Sequence, residues 1–183
     1  MMISITPNIN EGEVKAFCAQ IQPDSKPMMV YVRSEPKFKA NFCYDNVKLK
    51  MSHDGGRILT GWRIWKCPNL WMEAIHHAVW VSEELEIVDV TPQDEKVILF
   101  LPDKPLETNG CKVGEKYFAI ADDPLIKEYV ELCQKESDNY KSKTPFLEDV
   151  RVPDNLSLQL RGYEKKIAST YVFDEKKMFY VKR

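Results

Sequence analysis

The sequence is short of several features that would quickly assign a protein to a class. Its 183 residues include seven glycines, three histidines (His53, His76 and His77) and five scattered cysteines without a CxxC pair. Such cysteines are typical of reduced thiols rather than of a disulfide framework, which favours a cytoplasmic protein. No apolar run approaches the ~20 residues of a membrane-spanning helix, and residues 1–10 lack the pattern of a secretory signal.

Charge of either sign is not in excess. The 26 Lys and Arg residues oppose 28 Asp and Glu residues, for a formal net charge of −2. This balance lacks the basic footprint of nonspecific nucleic-acid or anionic-membrane binding, so we predict neither partner. Hydrophobic residues make up 44% of the chain and aromatic residues 11%, which suffices for one core. We expect a single domain over residues 1–183.

Hydrophobic spacing predicts an α+β fold. Apolar residues recur at helical intervals in three segments, which are residues 11–21, 42–54 and 124–134. Asn41 is expected to cap the second helix, and the polar residues 135–143 to form a loop. Runs rich in β-branched and aromatic residues predict strands, which are residues 28–32, 57–65, 74–81, 85–90, 97–101, 156–160, 169–173 and 178–181. The four strands between residues 57 and 101 indicate an antiparallel meander.

Three residues form the most informative constellation. Cys43 lies at the start of the second predicted helix, His77 on a predicted strand and Asp89 near the end of the next strand. A free thiol is mostly protonated at neutral pH, and both a helix N-terminus and an imidazolium favour the nucleophilic thiolate. A carboxylate on the second ring nitrogen holds such a histidine in one tautomer.

The hairpin between the two strands brings His77 and Asp89 together. A tight turn at residues 82–84 folds residues 77–89 back on themselves. Because the separation of the two residues, 89 − 77 = 12, is even, period-2 alternation is compatible with both side chains on one face. The adjacent His76 points to the opposite face, so only one of the two histidines can meet Cys43.

About 50 of the 183 residues resemble a known family. The Cys, His, Asp order, the sequence His77-Ala-Val-Trp-Val81, the sequence Ile87-Val-Asp-Val-Thr-Pro92 and the strand Gly56-Arg-Ile-Leu-Thr-Gly-Trp62 are similar to the transglutaminase-like branch of papain-fold thiol enzymes. The resemblance implies a cysteine-bearing helix packed on an antiparallel sheet. The catalytic core would span residues 41–105, and residues 106–183 would form a C-terminal extension.

The resemblance also implies the chemistry. Cys43 would be the nucleophile, His77 the general base and acid, and Asp89 the orienting carboxylate. The enzyme would attack an amide or acyl carbon through a thioester, as a hydrolase, a deamidase or an acyl transferase, without a cofactor or metal. The expected substrate is a protein or peptide.

Further residues are candidates for contacts with the substrate. The backbone N–H of Cys43 would be one oxyanion donor, and Asn41 and Asn46 are candidates for the second. Four tryptophans form either part of the core or an aromatic wall for the substrate, namely Trp62, Trp65, Trp71 and Trp80. The candidates for substrate binding are Trp62, Trp80 and Asn41.

Three alternatives remain at the level of sequence. Cys43 could be a small buried hydrophobe, in which case the protein is a non-catalytic binding module with a Trp-rich partner surface. His76 competes with His77 for the role of base. Zinc could be bound by a set of four residues whose types are common zinc ligands, although their spacing is not typical of a zinc site: Cys43, His53, His77 and Asp89.

Overall fold

The computed structural model describes residues 2–104, 113–141 and 155–183, and these residues contain four helices and eight strands. The helices are α1 (Gly12–Ile21), α2 (Cys43–Asp54), α3 (Pro124–Lys141) and α4 (Asn155–Thr170). The strands are β1 (Met28–Val32), β2 (Arg57–Cys67), β3 (Trp71–Val81), β4 (Ile87–Asp89), β5 (Val97–Pro102), β6 (Lys116–Ala119), β7 (Tyr171–Asp174) and β8 (Phe179–Lys182). No helix in the described ranges is long and apolar enough to cross a membrane.

The described residues group into two compact units. We call the first the barrel unit (Thr6–Ile64 and Ile75–Leu106) and the second the helical unit (Met1–Ile5, Trp65–Ala74 and Glu107–Arg183). The expectation of one domain with a core at residues 41–105 stays a prediction.

The central sheet closes on itself, so the predicted fold class is wrong. The strands follow the order β2, β5, β1, β4, β3, and β3 pairs again with β2 to form a five-stranded ring. β1 and β4 are parallel, with Tyr31 opposite Val88, whereas β1–β5, β2–β5 and β3–β4 are antiparallel. The protein therefore has a closed mixed barrel and not an open antiparallel sheet of the papain-like kind.

The predicted meander fails at one step. β2, β3 and β4 are neighbours as expected, but β5 pairs with β1 and β2 rather than with β4. The short hairpin connections of β2, β3 and β4 are visible in local sequence, whereas the insertion of β1 between β4 and β5 depends on pairing over more than 50 residues. The barrel interior is filled by Val30, Val79, Ile98 and Phe100, all fully or nearly fully buried.

Helix α2 packs against the outer face of the barrel. Its Val47 is fully buried in a cluster with Phe38, Ala78, Val88 and Val90. The helix ends where predicted because Gly55 (φ 67°) and Gly56 (φ 78°) take up left-handed conformations. A Cβ at Gly56 would lie 2.3 Å from the carbonyl oxygen of Val81, so this turn also requires glycine for close packing on β3.

The helical unit buries one face of α3 and one of α4. Its core consists of the apolar residues Cys67, Leu70, Trp71, Ile126, Val130, Ile167, Tyr171 and Tyr180. The predicted loop at residues 135–143 is wrong up to Lys141, because buried Ile126, Val130, Cys133 and Ser137 continue the helical spacing of α3. Residues 142–143 lie outside the described residues.

The predicted strand at residues 156–160 is also wrong. The alternation of Leu156, Leu158 and Leu160 is typical of a strand, but α4 covers this segment. Leu160 and Ile167 are buried seven residues apart, on one face of the helix, whereas Leu158 is exposed. The last two predicted strands correspond to β7 and β8, which pair as an antiparallel hairpin.

Candidate active site

Cys43 is the first residue of α2 and is half-buried. The backbone N–H of Asn46 donates to the Phe42 carbonyl and begins the helical hydrogen bonding, so the N–H groups of the first three helix residues have no acceptor within the helix. These N–H groups and the helix dipole present positive partial charge beside the thiol. Phe42, not Asn41, is the N-cap and makes no side-chain cap, so the predicted cap is wrong.

His77 and Asp89 meet as predicted from the hairpin. His77 Nε2 donates to Asp89 Oδ2 over 2.9 Å, and both side chains are almost fully buried. The register of β3 and β4 pairs Trp80 with Val88, which places Asp89 diagonally across from His77 on the same face.

Asp89 is held by three donors. Besides His77, the Thr91 backbone N–H donates to Oδ1 over 2.9 Å and Gln93 Nε2 donates to Oδ2 over 2.8 Å. The orientation of the Gln93 amide is fixed, because a carboxylate only accepts hydrogen bonds and the nitrogen must face it. Three donors compensate an anion that has no exposed surface.

The Cys43 side chain also interacts with His77 and affects its charge. Burial by itself disfavours the imidazolium, but hydrogen bonds to Asp89 and Cys43 and the charges of both groups raise the pKa of His77 to about 9. Since Nε2 is occupied by Asp89, Nδ1 is the ring nitrogen left for the Cys43 side chain. The side chains of Cys43, His77 and Asp89 therefore form a series at the start of α2, in which His77 is hydrogen-bonded to Asp89 and interacts with Cys43.

A half-buried guanidinium lies within electrostatic range of this series and was missed at the level of sequence. Arg63 on β2 pairs with Glu95, Nη2 to Oε2, over 3.1 Å, and its side chain is 14% exposed. Burial lowers the pKa of Arg63, against the negative charges of Glu95, Asp89 and Cys43. A charged residue inside the apolar run of β2 was the available signal, because such residues are rarely buried unless paired.

The second histidine has a different environment. His76 Nδ1 is hydrogen-bonded to the Tyr44 hydroxyl, and the ring meets Trp62 edge-on with centroids 4.9 Å apart. Burial lowers the pKa of His76 to about 4. The two neighbouring histidines therefore differ in charge at neutral pH, since His77 favours the imidazolium and His76 the neutral ring.

The predicted substrate-contact residues are dispersed. Trp62 is 4% exposed, and its Nε1 donates to Asp103 Oδ2 over 2.8 Å. Trp80 Nε1 donates to the Gly55 carbonyl over 2.9 Å, which places this indole at the opposite end of α2 from Cys43. Asn41 is exposed in a left-handed conformation (φ 67°), two residues before the thiol. Of the three, only Asn41 adjoins Cys43 along the chain.

Asn46 fixes α2 to neighbouring segments through side-chain hydrogen bonds. Its Oδ1 accepts from the Lys39 N–H over 3.0 Å, while Nδ2 donates to the Lys39 carbonyl over 2.7 Å and to Thr91 Oγ1 over 3.5 Å. Both ends of the buried amide are therefore committed, which leaves it without a free donor for an oxyanion.

The residues considered for zinc do not cluster. His53 is exposed in the last turn of α2, ten residues and about 15 Å along the helix axis from Cys43. Within residues 2–104, 113–141 and 155–183, no group of three or more His, Cys, Asp or Glu side chains is arranged to hold a metal ion.

The other described cysteines differ from Cys43. Cys18, Cys67 and Cys133 are buried, and burial raises the pKa of each thiol, to about 11 for Cys18 and about 12 for Cys133. Cys111 lies outside the described residues. Comparison with protein-family models, curated proteins and solved structures found no significant match to this chain.

Proposed function

We propose that the protein is a thiol enzyme that attacks an amide or related acyl carbon through Cys43. The observation that carries this proposal is the series Cys43, His77, Asp89, with the thiol at a helix N-terminus and the histidine between thiol and carboxylate. A nucleophile, a base in contact with it and a third group that orients the base are the requirements for acyl transfer.

In the first half-reaction, His77 already holds the proton of Cys43 as an imidazolium, and the thiolate attacks the acyl carbon. The new carbon–sulfur bond gives a tetrahedral oxyanion, for which the backbone N–H of Cys43 is the proposed donor. When the carbon–nitrogen bond breaks, the imidazolium returns the proton to the leaving amine. A thioester on Cys43 and a neutral His77 remain.

The second half-reaction regenerates the thiol. A water molecule or an amine gives a proton to His77 and attacks the thioester, and the carbon–sulfur bond breaks. Water gives a hydrolase or a deamidase, and an amine gives an acyl transferase. We propose a protein or peptide amide as the substrate, in a cytoplasmic protein whose thiols stay reduced.

The test is selective modification of Cys43. Iodoacetamide at neutral pH, followed by peptide mapping, should alkylate Cys43 faster than the other described cysteines, and p-nitrophenyl acetate should acetylate it and release nitrophenol. Cys43→Ala should abolish the acetylation. Cys18→Ala is the matched control, because it removes a buried thiol with a raised pKa and should leave both reactions unchanged.

Equal labelling of the parent and Cys43→Ala would overturn the proposal. An unreactive Cys43 in the folded protein would do the same, and would favour a non-catalytic binding module.

A further inference from the structure

Two adjacent side-chain contacts join the first turn of α2 to β3. The Cys43 side chain interacts with His77, and the next helix residue, Tyr44, is hydrogen-bonded to His76. Consecutive residues of the helix therefore meet consecutive residues of the strand. The first of these contacts carries the proposed chemistry, and the second has no part in it.

The contact between Tyr44 and His76 is built into a layer of fixed side chains. The two rings are stacked at 18° with centroids 6.1 Å apart, and Trp62 meets the imidazole edge-on at 82°. Trp62 is itself fixed by Asp103, whose other carboxylate oxygen accepts from Gln22 Nε2 over 2.5 Å. The imidazole that receives Tyr44 therefore has a defined orientation.

The beginning of α2 needs such an anchor. The helix has no side-chain cap, so its first turn depends on tertiary contacts for its position. A displacement of about 1 Å in a reacting group costs about 10²-fold in rate. Asn46 fixes the second turn, and Tyr44 is the neighbour of the nucleophile itself.

The pair acts through geometry rather than charge. Burial lowers the pKa of His76 to about 4 and raises the pKa of the Tyr44 hydroxyl, so both groups are uncharged at neutral pH. His76 Nε2 is buried without a hydrogen-bond partner among the described residues. An unpartnered buried nitrogen costs stability, so His76 is a poor choice for folding alone.

We infer that Tyr44 and His76 form a positioning pair, which holds the first turn of α2 on β3 so that the Cys43 thiol meets His77. This inference rests on the proposed function of Cys43. Tyr44 and His76 are positioning residues, because they act on the substrate only through Cys43.

A double-mutant cycle tests the pair, with iodoacetamide as the probe of Cys43. Tyr44→Phe and His76→Phe keep both rings and remove the hydrogen bond. We expect each variant to slow alkylation of Cys43 about 10-fold at neutral pH and to shift the alkylation profile to higher pH. The double variant should be no slower than either single variant, because the two residues act as a unit.

Urea unfolding of the same variants separates positioning from folding. The double variant removes both polar partners and leaves neither group unpaired, so it should slow alkylation with little change in the free energy of unfolding. Lys50→Met is the control, because it removes ion pairs to Glu35 and Asp54 from the other half of α2 and should leave the alkylation profile unchanged.

The outcomes distinguish the two proposals. If Cys43 of the parent protein is no more reactive than the buried cysteines, the proposed function fails. If Cys43 of the parent is reactive but Tyr44→Phe and His76→Phe show the same alkylation profile with pH as the parent, the inference of a positioning pair is wrong. Rate losses that add in the double variant would also overturn the pair.

Discussion

His77 is a buried base with a partner on each ring nitrogen. Asp89 accepts from Nε2, and the Cys43 side chain also contributes to the raised pKa of the ring. These interactions outweigh the burial penalty and favour the charged ring. The contrast with neutral His76, one residue earlier, shows that the partners of an imidazole, and not its position in sequence, determine its charge.

The first prediction concerns Asp89. Asp89→Asn keeps the shape of the side chain but removes the charge that favours imidazolium and fixes its tautomer. We expect turnover of p-nitrophenyl acetate to fall at least about 10²-fold and the alkylation profile of Cys43 to move to higher pH.

Gln93→Met is the comparison for that variant, because it removes only one neutral donor to the same carboxylate. Its effect on turnover should be smaller than that of Asp89→Asn. Parent-like turnover in Asp89→Asn would contradict the orienting role.

The second prediction is the pH dependence of stability. The folded-state pKa of His77 is raised to about 9, so its contribution is complete below the unfolded value of about 6.5 and is lost as pH rises through about 9. The pKa of His76 is lowered to about 4, so its contribution is present above about 6.5 and is lost as pH falls through about 4. The free energy of unfolding should therefore be greatest near pH 6.5.

Urea unfolding between pH 4 and 9 measures this profile, with each histidine limited to a slope of about 1.4 kcal/mol per pH unit. His77→Gln should flatten the alkaline side, and His76→Gln the acidic side. If His77→Gln keeps the parent's alkaline slope, or His76→Gln keeps its acidic slope, the assignment of that slope to that histidine is wrong.

At the scale of the element, α2 carries the thiol at one end and a double-glycine stop at the other. The third prediction is that Gly56→Ala lowers the free energy of unfolding by about 2 kcal/mol or more, since the new Cβ would clash with the Val81 carbonyl in a left-handed conformation. Gly162→Ala is the matched control, because a Cβ there meets nothing within 4 Å and should stabilise α4 slightly. Equal effects would contradict the packing argument.

The elements that could be predicted from sequence are those with local signals. Helix α2, its glycine stop and the hairpin that joins His77 to Asp89 follow from spacing and turn residues within a few positions of each other. The closed ring does not, because the pairing of β1 with β4 and β5 depends on which strands meet at long range. The contacts of Tyr44 and Arg63 were missed for the same reason, since partners such as His76 and Glu95 lie about 30 residues away.

At the scale of the molecule, the candidate site lies within the barrel unit, whereas the helical unit has its own core. The fourth prediction is that Ile167→Ala, which opens a cavity in that second core, lowers stability by about 2–5 kcal/mol. Alkylation of Cys43, measured well below the unfolding transition, should keep the rate of the parent.

Val47→Ala gives the opposite comparison, because Val47 is the α2 residue that is fully buried against Ala78 and Val88. It should lower both stability and the alkylation rate. An Ile167→Ala variant with slowed alkylation would contradict the separation of site and helical core.

The parallel pairing of β1 with β4 has a consequence for the order of events during synthesis. Parallel neighbours require a crossover connection, and here the crossover runs from Arg33 to Glu86 and includes Cys43 and His77. The second edge of β1 pairs with β5, whose last residue is Pro102, so both edges of β1 are paired only after β5 has been synthesised. A nascent chain that has not yet released residue 102 from the ribosome therefore cannot complete the ring of strands on which α2 packs.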